Sequence, residues 1–344
     1  MRAISAVDSV SLAFQRTKEF LFRPFRWGTY LKLGLVAIIT EGIGGNSGHP
    51  AHGGQTSGHG PVISSPFNLA PQWIAAIVAA VLIVIVLSIV LFYLVTRLRF
   101  AFFHCLTHNT SEIRPGWRLY GEQAMRFFWL NLGVGFCYLL LLALVSIPFV
   151  AGFWRLFHEI PPGGQPGLGP VLALVLPMIP VILLLVLAAF LIDVILRDWM
   201  LPHFALEDAS AGEAWAEVWE RITAEPREFL VYLLLRLVLP LIASIALFIV
   251  LLIPGLMLAG TVGAMEYGIH SAFVDSTGAS ALVGILLQVF FGVIAFGFLL
   301  LASICLGGPV STGVREYALV FYGGRYTELG DLLNPPPPAI SAGA

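Results

Sequence analysis

Long apolar runs alternate with shorter polar segments along this chain, and the lengths of the runs decide its class. Trp73 to Val95 is apolar for 23 residues apart from Ser88, and Val171 to Ile192 runs for 22 with Pro177 and Pro180 inside. Ala281 to Cys305 is interrupted only by Gln288, Ser303 and glycines. A hydrocarbon core of about 30 Å takes about 20 apolar residues in helix, so each of these runs is long enough to cross a bilayer. Phe127 to Phe153 and Phe229 to Gly260 are long enough to cross with tilt, although they carry Asn131 and Arg236. Trp27 to Ile43 holds Lys32 and Glu41 and is barely long enough. The pattern predicts an all-α, polytopic membrane bundle of six spans, residues 1–330 forming one transmembrane domain.

The polar segments carry a second periodicity. In PHFALEDASAGEAWAEVWERI, Ser210 and Glu213 have the spacing of a capping box, and Ala211, Trp215, Val218 and Ile222 fall on one helical face. Charged residues take the other faces, so the segment predicts a helix lying along the interface with Trp215 and Trp219 as anchors at headgroup depth. The same spacing recurs at Ile113, Trp117, Tyr120 and Ala124, and at Val310, Val314, Tyr317 and Phe321. Near the N-terminus Val10, Phe14, Thr17 and Leu21 repeat it with one polar lapse. The second positions of these stripes, Phe14, Trp117, Trp215 and Val314, lie 103, 98 and 99 residues apart. That regularity predicts three parallel repeats of surface helix, span, outer loop and span, at about 8–97, 111–197 and 208–306, closed by a fourth surface helix at 309–322. The tail, 331–344, is proline-rich and expected to be extended and disordered.

Composition supports the class. The chain is 58% hydrophobic and 11% charged, against roughly 25% charged in a soluble domain. A formal charge of -2 gives no reason to expect nucleic acid as a partner. Cys105, Cys137 and Cys305, an odd number in or beside apolar runs, read as free thiols. The N-terminus lacks an apolar core followed by a small-residue cleavage site, so no removed signal peptide is expected. Arginines and lysines gather before the first run and between the second and third, the fourth and fifth, and after the sixth, while the other three loops hold only Arg155. The positive-inside rule then predicts cytoplasmic termini in a cell, or inner, membrane.

The passage from Pro202 through LEDASAGEAWAEVW to the run beginning near Phe229 resembles the membrane domain found beside bacterial glycerophosphoryl diester phosphodiesterases, and related bacterial polytopic proteins. Pro202, Glu207, Asp208, Ser210, Ala214 and Trp215 are the matching positions. The likeness covers residues 190 to 250 well and the remainder by hydropathy alone. It implies a multi-span membrane module, without the phosphodiesterase barrel, for which no long polar stretch exists.

Candidate chemistry is sparse. His104 and His108 in HCLTH stand at i, i+4, where two imidazoles can share a metal, but the glutamate of a zinc protease is missing and packing under a surface helix is the plainer reading. His49, His52 and His59 sit in a glycine-rich loop, and GNSG with His270 resembles a rhomboid serine and histidine only superficially, since the serine lies outside the bundle. Intramembrane polar groups say more: Lys32, Asn131, Asp193 and Arg236, with Lys32 and Arg236 placed to snorkel to the interface or Arg236 to pair with Asp193 across two spans. No catalytic constellation and no cofactor motif is present. The expectation is a non-enzymatic structural or interaction protein of the envelope or its lipids, with the bilayer as partner and protein contact or self-association through the amphipathic helices. The alternative is a transporter or channel for a small solute.

Overall fold

A computed structural model describes residues 4–42, 71–158, 167–273 and 279–334. Among them every regular element is helical: α1 (Asp8–Phe22), α2 (Trp27–Gly42), α3 (Pro71–Thr107), α4 (Ile113–Leu119), α5 (Gly121–His158), α6 (Leu168–Val194), a π-helical turn (Ile195–Met200), α7 (Leu201–Leu206), α8 (Ala211–Ala224), α9 (Pro226–Phe273), α10 (Ala279–Gly323) and α11 (Thr327–Leu333). Five helical stretches, in α3, in α5, from α6 through α7, in α9 and in α10, are long and apolar enough to cross a membrane. The protein is therefore an all-α, multi-pass membrane protein. The described part of α2 is 16 residues, about 24 Å of helix, and is shorter than these five.

Several helices outrun a bilayer. The 48 residues of α9 and 45 of α10 extend about 72 and 68 Å, more than twice the hydrocarbon thickness. Burial divides each rod in two. Along α3 the side chains from 75 to 91 are exposed, and burial begins at Val95. It begins at Val194 in α6, whereas α5 and α9, running the other way, bury nothing among the described side chains past Phe128 and Arg236. One end is thus a packed module and the other a set of largely outward-facing apolar rods, which still touch in pairs, α5 against α6 at Gly152 and Leu174 and α9 against α10 at Phe273 and Gly284. The packed end carries α1, α4, α8 and α11 and most of the arginines, and is called the basic end below.

Aromatic rings fill the module. Phe100 meets Phe127 edge-on at 5.5 Å, and Phe127 meets Phe204 at 5.3 Å. Trp199 packs on Phe229 at 4.9 Å, and Tyr232 stacks between Phe321 and Tyr317 at 4.4 and 5.0 Å. Small residues let backbones close in. A Cβ on Gly308 of α10 would stand 2.7 Å from the Cα of Gly34 in α2, so that crossing admits no side chain. A Cβ on Gly116 would likewise stand 2.7 Å from the Cβ of His104, which is how α4 lies flat on α3.

The surface elements differ from the sequence pattern in phase and extent. Residues 309–322, read as a separate surface helix, are the continuation of α10, with Pro309 inside. The glycines at 307 and 308 face α2 closely, so the Gly-Gly-Pro run serves packing rather than a break. The loop expected from Thr261 onward is helical to Phe273. On α1 the buried face is Ser9, Ala13, Thr17 and Leu21, one residue out of phase with the apolar stripe at its first two positions, because small side chains bring the helix against α10. The capping box on α8 is present, with Ser210 accepting from the Glu213 amide and Glu213 accepting from the Ser210 amide at 2.8 Å. Asp208, at φ 56°, takes the left-handed conformation that reverses the chain between α7 and α8.

Candidate functional site

Where the rods enter the module, a layer of charge is buried. α6 reaches this level and widens into the π turn, in which Leu196, Arg197, Asp198, Trp199 and Met200 are all buried. The α-helical stretches 99–103 and 201–205 are buried just as continuously, so the π turn lies at the centre of the module, with Arg197 and Asp198 both in its interior. π turns are rare and recur at functional sites. α2 brings Glu41, α3 Arg99, α9 Tyr232 and Arg236, and α10 Arg315, all buried.

Asp198 is the hub. Its Oδ2 accepts from Arg236 Nε at 2.8 Å and from the Tyr232 hydroxyl at 2.8 Å, and its Oδ1 accepts from Arg315 Nη1 at 3.0 Å. Glu41 accepts from Arg197 and, at 3.3 Å, from Arg236. Arg315 also donates to the Arg197 carbonyl at 2.8 Å, and Arg99 to the Thr40 carbonyl at 3.2 Å. Buried ions repay their desolvation only when well paired. The pairing here is incomplete: Nε and Nη1 of Arg197 and Nη2 of Arg315 are buried and donate to no acceptor among the described residues.

A second polar group ties α7 to the chain's far end. His203, fully buried, has Nδ1 3.0 Å from Glu207 and Nε2 2.7 Å from the Tyr322 hydroxyl, with the Tyr326 ring stacked on its imidazole at 4.4 Å. Burial opposes charge on Glu207, but hydrogen bonds from His203 and Tyr326 outweigh it and hold its carboxyl below the ordinary range. Burial raises the Tyr326 hydroxyl well above the usual phenol range, reinforced by the carboxylates of Glu207 and Glu328, to the second of which it donates at 3.1 Å.

The residues singled out from the sequence are dispersed around this layer. Arg236 does not snorkel and does not pair with Asp193; it bonds Asp198 and Glu41. Asp193 lies one turn outward on α6, 29% exposed, and stands 3.3 Å from Arg197. Lys32 is exposed on α2, and the Asn131 amide donates to its own helix at the Phe127 carbonyl, 2.7 Å away. His104 and His108 stack with ring centroids 4.2 Å apart, and no group of three His, Cys, Asp or Glu able to hold a metal occurs among the described residues. Phe14 is 73% exposed, Trp215 and Trp219 stack on each other on the outer face of α8, and Trp117 lies under the Arg97 guanidinium at 4.8 Å. Tyr317, read as an interfacial anchor, is buried against Tyr232 because its helix is the inner part of α10. His49, His52, His59 and the serine of GNSG lie outside the described residues.

Arg99, Arg197, Asp198, Tyr232 and Arg315 carry the layer, and none was singled out from the sequence. Three of the arginines counted only toward sidedness. The available signal was the pairing of opposite charges among aromatics in RDW and VREY, within helices that continue past their apolar runs.

The fold and its buried charge define a multi-pass helical membrane protein with a packed module at one end. The chain belongs to a family of unknown function, DUF7544, whose model matches residues 4–332. No curated protein and no solved structure matches it.

Proposed function

We propose that this protein is a non-enzymatic structural or interaction protein of the envelope, with the basic end in the cytoplasm. One observation carries the reading: polar and charged side chains concentrate in and around the module, while the described rods beyond it present apolar side chains outward. A solute pathway needs polar groups along a shared axis through the bilayer, and the rods offer few. The spacing of about 100 residues between the apolar stripes supports three repeats, with α1, α4 and α8 opening them. The likeness of residues 190 to 250 to phosphodiesterase-associated membrane domains supports a setting in lipid or envelope upkeep. In this reading the exposed Trp215–Trp219 pair on α8 and Phe14 on α1 anchor the module at the inner interface, where a partner docks.

The test combines topology and phenotype. A cysteine at position 215 should react with a membrane-impermeant maleimide only after the cytoplasm is opened. In cells lacking the protein, the paired change Trp215→Glu and Trp219→Glu should fail to restore envelope integrity although the variant reaches the membrane in normal amount. Labelling of intact cells would overturn the sidedness, and selective solute flux through purified protein in liposomes would favour a transporter.

A further inference from the structure

We propose that the buried charge layer is a binding site for one compact phosphoryl anion, the phosphate of a lipid headgroup or phosphate itself, held by Arg99, Arg197 and Arg315. Charge supplies the first argument. The layer contains four guanidiniums, from Arg99, Arg197, Arg236 and Arg315, and three carboxylates, from Glu41, Asp193 and Asp198. Arg16 and Glu316, the nearest further pair, cancel each other at 3.0 Å. The surplus is one positive charge in a place from which water is largely removed. A singly charged phosphodiester neutralises it.

Hydrogen bonding supplies the second argument and localises the surplus. Each carboxylate oxygen of Asp198 is already engaged, and Glu41 receives two arginines, both at Oε2. Arg197 is 2% exposed, yet its Nε and Nη1 have no acceptor, and Nη1 reaches Asp193 only at ion-pair range. Nη2 of Arg315 is in the same condition. Arg99 has no carboxylate within 4.0 Å among the described residues, although Asp193 and Glu41 lie within electrostatic range of it, as Arg197 and Arg315 do. A buried donor without an acceptor costs about 1–3 kcal/mol, more when charged, so several in one layer call for an acceptor from outside the chain. A phosphoryl group, with several oxygens able to take paired N–H bonds from planar guanidiniums, matches that demand better than a halide.

Position supplies the third. The layer coincides with the level at which the rods stop facing outward and start facing one another, where Val95, Val194 and Arg236 mark the change. That is headgroup depth for a bilayer wrapped around the apolar rods. Asp193, the least enclosed member, marks where a headgroup would enter from the lipid side.

The experiment uses delipidated full-length protein in a neutral sugar detergent and follows thermal unfolding and bound lipid by native mass spectrometry. One arm adds phosphatidylglycerol, a second adds inorganic phosphate, and a third adds sodium chloride at equal ionic strength. Wild-type protein should gain several degrees in Tm with phosphatidylglycerol or with phosphate but not with chloride, and the arm that acts identifies the source. Arg99→Leu removes the surplus cation without touching Asp198 or Glu41. It should weaken binding at least tenfold and make Tm independent of the added anion, while Arg97→Gln, whose guanidinium covers Trp117, should bind as wild type does. If Arg99→Leu does not fold, Arg99→Lys replaces it, keeping the charge but losing paired donation, with weaker binding expected. Equal responses to phosphate and chloride, no response in either phosphoryl arm, or unaltered binding in the Arg99 variant that folds would overturn the proposal.

Discussion

The two ends of this molecule obey different solvents. At the basic end, aromatic rings interlock and most charges meet a partner, as in a water-soluble core; in the opposite half, leucines, valines and phenylalanines as large mostly face outward. The same helices pass through both, so the difference does not come from secondary structure. It comes from what surrounds them: lipid provides no hydrophobic force to drive apolar helices together, so the rods gain little by touching. Specific packing is found where arginines, carboxylates and rings can satisfy one another.

That contrast can be broken first at its hub. Asp198→Asn leaves Arg236 and Arg315 without their carboxylate, and loss of one partner of a buried pair costs about 3–5 kcal/mol. The variant should unfold far below wild type in detergent, or fail to accumulate. Asp193→Asn, which removes one partly exposed contact, should shift the same transition much less. Equal losses would mean that the layer has no hub.

Next in size is the α2–α10 crossing. Gly308→Val should cost about 1–3 kcal/mol by overpacking against Gly34. Gly297→Ala, where a Cβ would meet nothing within 4 Å, should leave the melting temperature in place. A matching loss at Gly297 would show that α10 is packed at that level too.

Smaller effects belong to α8. Ser210→Ala should cost about 1 kcal/mol through the lost cap, read as faster hydrogen exchange at the first amides of that helix. Acid should do something similar to the wild type. Glu213 is held below its ordinary value of 4.5, chiefly by the Ser210 backbone amide, then by its hydroxyl. A carboxyl so lowered contributes stability that is fully present above 4.5 and is lost as pH falls through its folded value. Glu207, lowered in the same direction, adds to the loss at the α7–α8 turn. Exchange in this segment should therefore rise below about pH 4.5 while the core amides of α9 remain protected; unchanged exchange would assign no role to the capping carboxylate.

Much of the lipid-facing half was legible in the chain, since each of the five helical stretches able to cross is built on a run that length and hydropathy mark out, although the helices continue past those runs. The capping box was legible too, because Ser210 and Glu213 interact across three residues and need nothing distant. The module was not. An apolar stripe on a surface helix predicts which face turns inward, yet on α1 the inward face is chosen by the small residues Ser9 and Ala13, which α10 can approach, and Phe14 is left outside. The charge layer was hidden for a related reason: Arg197 and Arg315 look like ordinary basic flanks until the helices that carry them are known to continue and meet. Asp193 was the more visible acid because it interrupts an apolar run, while Asp198, five residues on, holds the contacts.

The meeting of α10 with α1 and α2 has a consequence for biosynthesis. The last long helix to leave the ribosome supplies Arg315, Tyr317 and Phe321 to the middle of a module whose first pieces were inserted some three hundred residues earlier. Until α10 arrives, Asp198 waits without one of its three donors, and Gly34 without the backbone that closes over it. A chain without α10 would therefore be open at the centre of its module.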